Sequence, residues 1–299
     1  PYTTLFRSEK VFSNAKVIRL EQNYRSTQNI LNAANQVIQN NMERKRKTLW
    51  TENEEGEKLH FRQFMNAYEE AEYVVGEISK KVREGKGEYR DFAVLYRTNA
   101  QSRLFEEKLL MANIPYKLVG GVNFYARKEI KDLLAYLKTV DNAKDDLAVR
   151  RIINVPKRGI GATTLSRVQD YASERGIGFY DALREAEQIP SIGRAAVKVE
   201  PFVTFIQTLR SKQEFLSPSE LLKDIIESTG YVEELRNEGT DEAEARIENI
   251  DELITKVVSY EEENEAPTLS GFLEEVALVA DIDSVDGDDN QVLLMTLHS

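Results

Sequence analysis

The amino-acid sequence changes its rhythm once, at Gly120-Gly121, and that change limits the folds open to it. Before it, short apolar and β-branched runs at 16–20, 58–64, 92–96 and 116–119 alternate with helical patterns at 27–42, 68–83 and 100–111. Such alternation predicts a parallel sheet with helices on its faces. After residue 124 the apolar spacing is helical almost throughout, as in Leu133, Leu134, Leu137 and Val140. Helices are expected over 128–140, 147–153, 164–175, 180–186, 193–215, 219–228, 242–260 and 269–280. One strand-like run, over 291–299, closes the sequence. A strand that comes after a helical array has no sheet of its own, so it is expected to return to the first sheet and make the array an insertion. The fold class expected is α/β, a parallel-sheet domain over 9–123 with an all-helical domain inserted over 124–289 and the sheet resumed at 290–299. Residues 1–8 share no periodicity with the stretch from Glu9 onward, and the sequence stops where a further loop or helix should begin, which reads as truncation.

A length of 299 residues suits about two domains, each able to bury a core. No apolar run is long enough to cross a bilayer and no basic-then-apolar leader opens the sequence, so a cytoplasmic setting without a membrane partner is expected. With no cysteine and only His60 and His298, a disulfide framework, a thiolate site and an imidazole-rich metal centre are excluded. The run Asp281-Ile282-Asp283-Ser284-Val285-Asp286-Gly287-Asp288-Asp289 has the alternate acids of a calcium loop but lacks its closing glutamate, so no metal is assigned. The net charge of -11 means that any nucleic-acid face must be local, because affinity for DNA rests on Lys and Arg neutralising phosphates. Acids crowd 233–265 and 281–289, while the Arg/Lys-rich pieces lie earlier.

Three stretches carry candidate chemistry. Leu20-Glu21-Gln22-Asn23-Tyr24-Arg25-Ser26-Thr27 joins an expected strand to a helix with Ser26 as N-cap, and open α/β sheets bind ligands at such strand ends. Tyr24 and Arg25 could reach a nucleotide there, or could be a packed ring and a surface ion pair. Arg97-Thr98-Asn99-Ala100-Gln101-Ser102-Arg103 comes after another strand; it offers donors for a phosphodiester backbone, or a capped helix with Arg103 solvated. Val155-Pro156-Lys157-Arg158-Gly159-Ile160-Gly161-Ala162-Thr163-Thr164 lies between helices, where glycine lets backbone N–H groups approach a phosphate; a plain helix-to-helix turn needs glycine too, but the two cations favour the phosphate. Trp50, Phe124 and Tyr125 could stack on bases but are assigned to packing. The sequence holds no GxxxxGK[ST] loop, so an arginine finger here would lack its phosphate cradle and magnesium site.

With these residues in hand, the sequence resembles the superfamily 1A DNA helicases of the PcrA/UvrD/Rep type, most closely the PcrA group of Gram-positive bacteria, from about Glu9 to Ser299. Leu20 to Ser26 resembles helicase motif IV, and Leu294-Met295-Thr296-Leu297-His298-Ser299 the opening of motif V. Between them the blocks at 96–103, Val119-Gly120-Gly121, 124–132, 158–161 and 246–252 occur in the family's order. The resemblance implies much of a second RecA-like domain, 2A, carrying the inserted helical domain 2B, without the first RecA-like domain, the Walker motifs or motif VI. It further implies that Tyr24 stacks on the adenine of ATP and that Arg25 acts catalytically at the γ-phosphate. Arg97, Asn99 and His298 would touch single-stranded DNA, and Lys157, Arg158, Gly159, Ile160, Gly161 and Thr164 duplex DNA. ATP and Mg2+ would serve the intact enzyme without binding tightly to this stretch alone. Implied partners are DNA, the first RecA-like domain, and proteins of replication, repair or transcription. The other function class open to the residues is a non-catalytic regulatory module binding DNA or protein.

Overall fold

The computed structural model describes residues 18–41, 47–189, 192–282 and 290–297. Residues 1–8, most of the acidic run 281–289, and His298 lie outside them. The chain forms two compact units, Pro1–Phe64 and Met65–Ser299.

In the first unit, α1 (Gln28–Gln39) buries Leu31 and leaves Ile30, Val37 and Ile38 exposed. The strand expected at 16–20 is not found: 16 and 17 lie outside the described residues, and Ile18 and Leu20 are exposed and unpaired in any ladder. Gln22 instead forms a single parallel bridge with Trp50. The run 58–64 forms no strand and joins no sheet, with Leu59 and Phe61 exposed. Strand-like composition marks fitness for a pleated, half-buried surface, and neither run meets a neighbouring strand among the described residues.

The second unit opens with α2 (Ala67–Arg83), whose N-terminal amides are capped by Asn66 accepting from the Glu69 amide at 2.8 Å. Glu69 and Glu70 in its first turn and Lys80, Lys81 and Arg83 in its last complement the helix dipole. Then come β1 (Ala93–Tyr96), a short 3-10 turn, α3 (Ser102–Met111) and β2 (Tyr116–Val119). The helical array begins with α4 (Lys128–Asp141), α5 (Asp146–Ile152), α6 (Ala162–Arg175), α7 (Phe179–Arg184) and α8 (Ala196–Lys212). It continues through α9 (Pro218–Thr229), α10 (Tyr231–Glu238), α11 (Asp241–Glu263) and α12 (Leu269–Ile282). Sequence periodicity misses only α10, which is too short to show a period and buries just Tyr231 and Leu235. It starts and ends on glycines in the left-handed region, Gly230 and Gly239.

The chain then returns as β3 (Val292–Thr296), which inserts between β1 and β2 in a three-stranded parallel sheet of order β1-β3-β2. Register pairs Ala93 and Tyr116 with Leu293 and Val292 respectively, and Tyr96 with Thr296. Burial tracks the pleat: Val292 and Leu294 are fully buried while Leu293 and Met295 are half-buried. The fold is thus an α/β sheet interrupted by a helical insertion.

Apolar residues sort into two separate clusters. One surrounds the sheet and includes Val75, Ile78, Phe105, Leu109, Val292 and Leu294. The other fills the array, built on the fully buried faces of α4, α8, α9 and α11, such as Leu133, Leu137, Ile206, Leu222 and Leu253. Leu294→Ala removes a fully buried side chain from the central strand and is expected to cost about 2–5 kcal/mol in denaturant unfolding. An unchanged midpoint would contradict this placement of the sheet core.

Candidate functional site

The corner around Tyr24 is built by side-chain amides. Asn23 Oδ1 accepts from the backbone N–H groups of Arg25 and Ser26 at 2.9 and 2.8 Å, folding the chain into a tight turn before α1. Asn53 Nδ2 donates to the carbonyls of Tyr24 and Ser26, tying the turn to the loop beyond α1. The expected N-cap is corrected here: the cap position belongs to Thr27, whose side chain makes no capping bond. The first helical amides, of Gln28 and Asn29, donate instead to the carbonyls of Glu54 and Glu55 at 3.2 and 3.0 Å. Those two amides are therefore not open to an anion. Tyr24 is 79% exposed, with its hydroxyl donating to Gln22 Oε1, and Arg25 is exposed with no carboxylate partner among the described residues. The surface-ion-pair alternative for Arg25 therefore finds no partner among the described residues.

Arg97 and Asn99 stand at the C-terminal edge of the sheet. Gln101 Oε1 accepts from the amides of Arg97 and Thr98 and fixes the turn, with Thr98 completing a capping box. Arg97 is exposed, and with Asn99 and Thr296 it lines a shallow cavity of about 290 Å³ whose far wall is Asp241, Glu244 and Glu248 of α11. Arg103 departs from both readings of its stretch. It is 2% exposed, its guanidinium bonded to Glu252 at 2.6 Å and Glu107 at 3.0 Å. Burial alone would lower its pKa, but those two carboxylates outweigh it and hold it above the ordinary value.

The loop from Val155 to Thr164 divides its residues between two tasks. Arg158 is turned inward: its Nη1 donates to the carbonyls of Ile152 and Ile153 at 2.9 and 3.1 Å, and its Nη2 to the Tyr136 hydroxyl. It closes the C-terminal end of α5 and lies over the Phe202 ring, so its charge is not offered to a phosphate. Ile160 is buried, and its backbone is clamped by Asn154, which accepts from its amide at 3.1 Å and donates to its carbonyl at 2.7 Å. In this structure these two residues, both in the expected duplex-contact set, shape the loop. Gly159 sits at φ 69, a conformation that favours glycine. Beyond them Gly161, Ala162 and Thr163 are exposed at the start of α6, and their amides find no acceptor among the described residues. Lys157 is exposed beside them, and Lys198 of α8 reaches the Gly159 carbonyl at 3.3 Å. Lys198 lies too far along the sequence for motif spacing to reveal it. Thr164 is half-buried in the first turn.

Sequence reasoning also passes over a polar junction where the blocks at 102–107, 124–132 and 246–256 meet. Arg127 donates to Asn249 Oδ1 at 2.7 Å and Ser102 Oγ at 2.8 Å; its burial lowers its pKa, with Glu106 and Glu129 opposing. Tyr125 donates to Glu107 at 2.8 Å, and Lys256 bonds Glu275 at 2.6 Å and Glu107 at 3.5 Å. Beside it the Tyr96 hydroxyl is buried near Ser102 and Glu106, and burial first and then Glu106 push its pKa up to about 12. Charged residues at helical spacing read as a solvated face in sequence, and only the tertiary contact shows them buried.

A family model described as the UvrD-like helicase C-terminal domain matches residues 18–299. The chain is 49% identical over 293 residues to the ATP-dependent DNA helicase PcrA of Staphylococcus aureus, covering 97% of this chain and 40% of that protein. It is 46% identical over 303 residues to the ATP-dependent DNA helicase PcrA of Bacillus subtilis, covering 99% of this chain and 41% of that protein. It thus spans about two-fifths of the length of the curated relatives it matches.

Two substitutions test the scaffolds. Asn154→Ala strips both clamps from Ile160 and is expected to cost about 1–3 kcal/mol, with faster amide hydrogen exchange across 159–163. At Gly56, φ is 76 and an added Cβ would stand 2.3 Å from Thr27 Oγ1. Gly56→Ala is therefore expected to destabilise the Tyr24 corner by more than about 1 kcal/mol, read as a loss of local exchange protection in α1.

Proposed function

The chain belongs to the UvrD-like helicase C-terminal domain family, and from that premise we propose that it works as part of an ATP-dependent 3′-to-5′ DNA helicase. Residues 9–123 and 290–299 belong to its RecA-like domain 2A and residues 124–289 to its helical domain 2B. ATP and Mg2+ are held jointly with a first RecA-like domain, which supplies the phosphate loop and the magnesium ligands. Duplex and single-stranded DNA are the substrates, proteins of replication, repair or transcription the further partners, and the cytoplasm the setting.

The observation that carries this reading is the state of Tyr24 and Arg25. A braced turn presents an exposed tyrosine and an exposed arginine with no carboxylate partner among the described residues, while the amides of Gln28 and Asn29 already have acceptors. An arginine held in this way is free to meet a phosphate delivered by another domain. Tyr24 stacks on the adenine; Arg25 stabilises the charge that develops on the transferred phosphoryl group. Because that contact exists only when the domains close on ATP, hydrolysis removes what favoured closure, and the cycle of closure and release becomes movement.

Arg97 and Asn99, with His298, hold the backbone of single-stranded DNA at the strand ends. Duplex DNA meets the exposed amides of Gly161, Ala162 and Thr163 at the start of α6, with Thr164 in that turn and Lys157 and Lys198 supplying charge. Gly120, at φ 72, with Gly121 is one hinge about which the array swings against the sheet; the other, at 281–289, lies mostly outside the described residues.

In the full-length enzyme, Arg25→Ala is expected to lower DNA-stimulated ATP hydrolysis by about 10³-fold or more while leaving DNA affinity within about twofold. Hydrolysis at the wild-type rate, with only DNA affinity changed, would overturn the role given to Arg25. The present chain without the phosphate loop is expected to hydrolyse no ATP, checked by phosphate release with and without DNA.

A further inference from the structure

The helical array has a face that DNA binding leaves unused. Between α7, with the turn that follows it, and α8 lies an open cleft of about 600 Å³, a size that suits a guest of several side chains. One wall comes from α8, where Ala196, Glu200, Val203 and Gln207, at steps of three and four residues, share one stripe of the helix. Leu183, Ala186 and Val203 are buried and form the floor. The rim is acidic, with Asp181, Glu185, Glu187 and Glu200 against a single cation, Arg184. We infer that this cleft docks a partner protein through a basic amphipathic segment, with the aliphatic stem of a lysine or arginine on the floor and its charge among the carboxylates.

The four acids of the rim are not equivalent. Asp181 has Arg184 at 3.5 Å, and Glu185 accepts from the Tyr171 hydroxyl at 2.8 Å and meets Arg175 at 3.4 Å. Glu187 and Glu200 are exposed, and neither carboxylate has an ion pair or a hydrogen bond among the described residues. These two are open to a cation brought from outside. An exposed ion pair alone contributes little, so the floor must carry much of the affinity while the rim sets the sign of the partner and speeds encounter. Lysine and arginine suit both demands, because their stems lie along apolar surface while their heads stay polar. A wholly apolar segment would leave the rim unpaired.

Charge also separates this guest from nucleic acid. Phosphates are drawn to lysine and arginine and repelled by a carboxylate rim. On the same helix Lys198, two residues before Glu200 and so roughly 200° around the axis, reaches the Gly159 carbonyl at 3.3 Å. α8 thus turns a cation toward the loop of Val155 to Thr164 and a carboxylate toward the cleft. A protein seated in the cleft leaves that loop open, and the inference holds whether or not the loop binds DNA.

The probe is an amphipathic helical peptide of leucine and lysine, titrated into the full 299-residue chain with its leucine and valine methyl groups labelled for NMR. A peptide of leucine and glutamate is the control. The lysine peptide is expected to bind with shifts centred on Leu183 and Val203, more weakly as salt is added, and the glutamate peptide not to bind. Glu187→Lys combined with Glu200→Lys changes two exposed positions, so helical circular dichroism should be retained. This variant should bind the lysine peptide about tenfold or more weakly and take the glutamate peptide instead. Thr204→Trp, which fills the cleft without changing charge, should weaken the lysine peptide as much. No binding of the lysine peptide, shifts spread outside the cleft, or equal binding by both variants would overturn the inference. Self-association of the chain, seen by sedimentation velocity and lost in the charge-reversed variant, would give the cleft to a second copy and overturn it too. Duplex DNA affinity reduced in Thr204→Trp would place DNA at this face and overturn it as well. Failure of the helicase reading would show separately, as ATP hydrolysis insensitive to Arg25→Ala in the full-length enzyme.

Discussion

The parallel pairing of β3 between β1 and β2 is the contact on which the rest of the second unit depends. Without it β1 and β2 have no common neighbour, and the cluster around Val292 and Leu294 loses its centre. It also fixes the topology, because the chain leaves the sheet at Val119 and must come back at Val292, so everything between is an excursion. Pairing so remote in sequence carries a large loop-closure cost in a flexible chain. The array lowers that cost by folding around its own core and bringing the two ends of the excursion into a fixed relation.

Charge is used in three ways. Arg158 and Arg103 serve the interior, one closing a helix end and the other joining two helices through carboxylates. Arg25, Arg97 and Lys157 remain at the surface. The many acids of α11 both bind the junction through Glu252 and form a negative wall opposite Arg97 through Asp241, Glu244 and Glu248. A net charge of -11 is compatible with a nucleic-acid-binding face because such a face needs only a local set of cations, not a basic surface overall.

Much of the fold was legible in the sequence because it rests on period. The return of the last strand to the first sheet was implied by its having nowhere else to pair, and the longer helices were read within a few residues of their bounds. Two expected strands, 16–20 and 58–64, failed because strand character is realised only against a neighbour. The site was less legible. The resemblance, not spacing, singled out Tyr24, Arg25, Arg97 and Asn99, and nothing in the sequence said which cations of Val155 to Thr164 face outward. Arg158 and Lys157 are adjacent, and their opposite fates depend on the carbonyls of Ile152 and Ile153 and on Tyr136, whose approach is tertiary. Lys198 and the junction through Asn249, Glu252 and Lys256 arise from contacts between distant stretches, which no local pattern encodes.

Because β2 and β3 run parallel side by side, the excursion begins at one end of the sheet and finishes at the other, roughly 13 Å away along the strand direction. The array therefore doubles as a crossover connection and cannot be treated as a bead hung on a hairpin. Trimming it away and joining the cut ends directly would leave β3 unable to reach its slot; at least about a dozen residues must remain to carry the chain back across one face. Over evolutionary time the array is free to grow, shrink or be exchanged, provided that whatever replaces it still makes that return journey with the right-handed sense such crossings take.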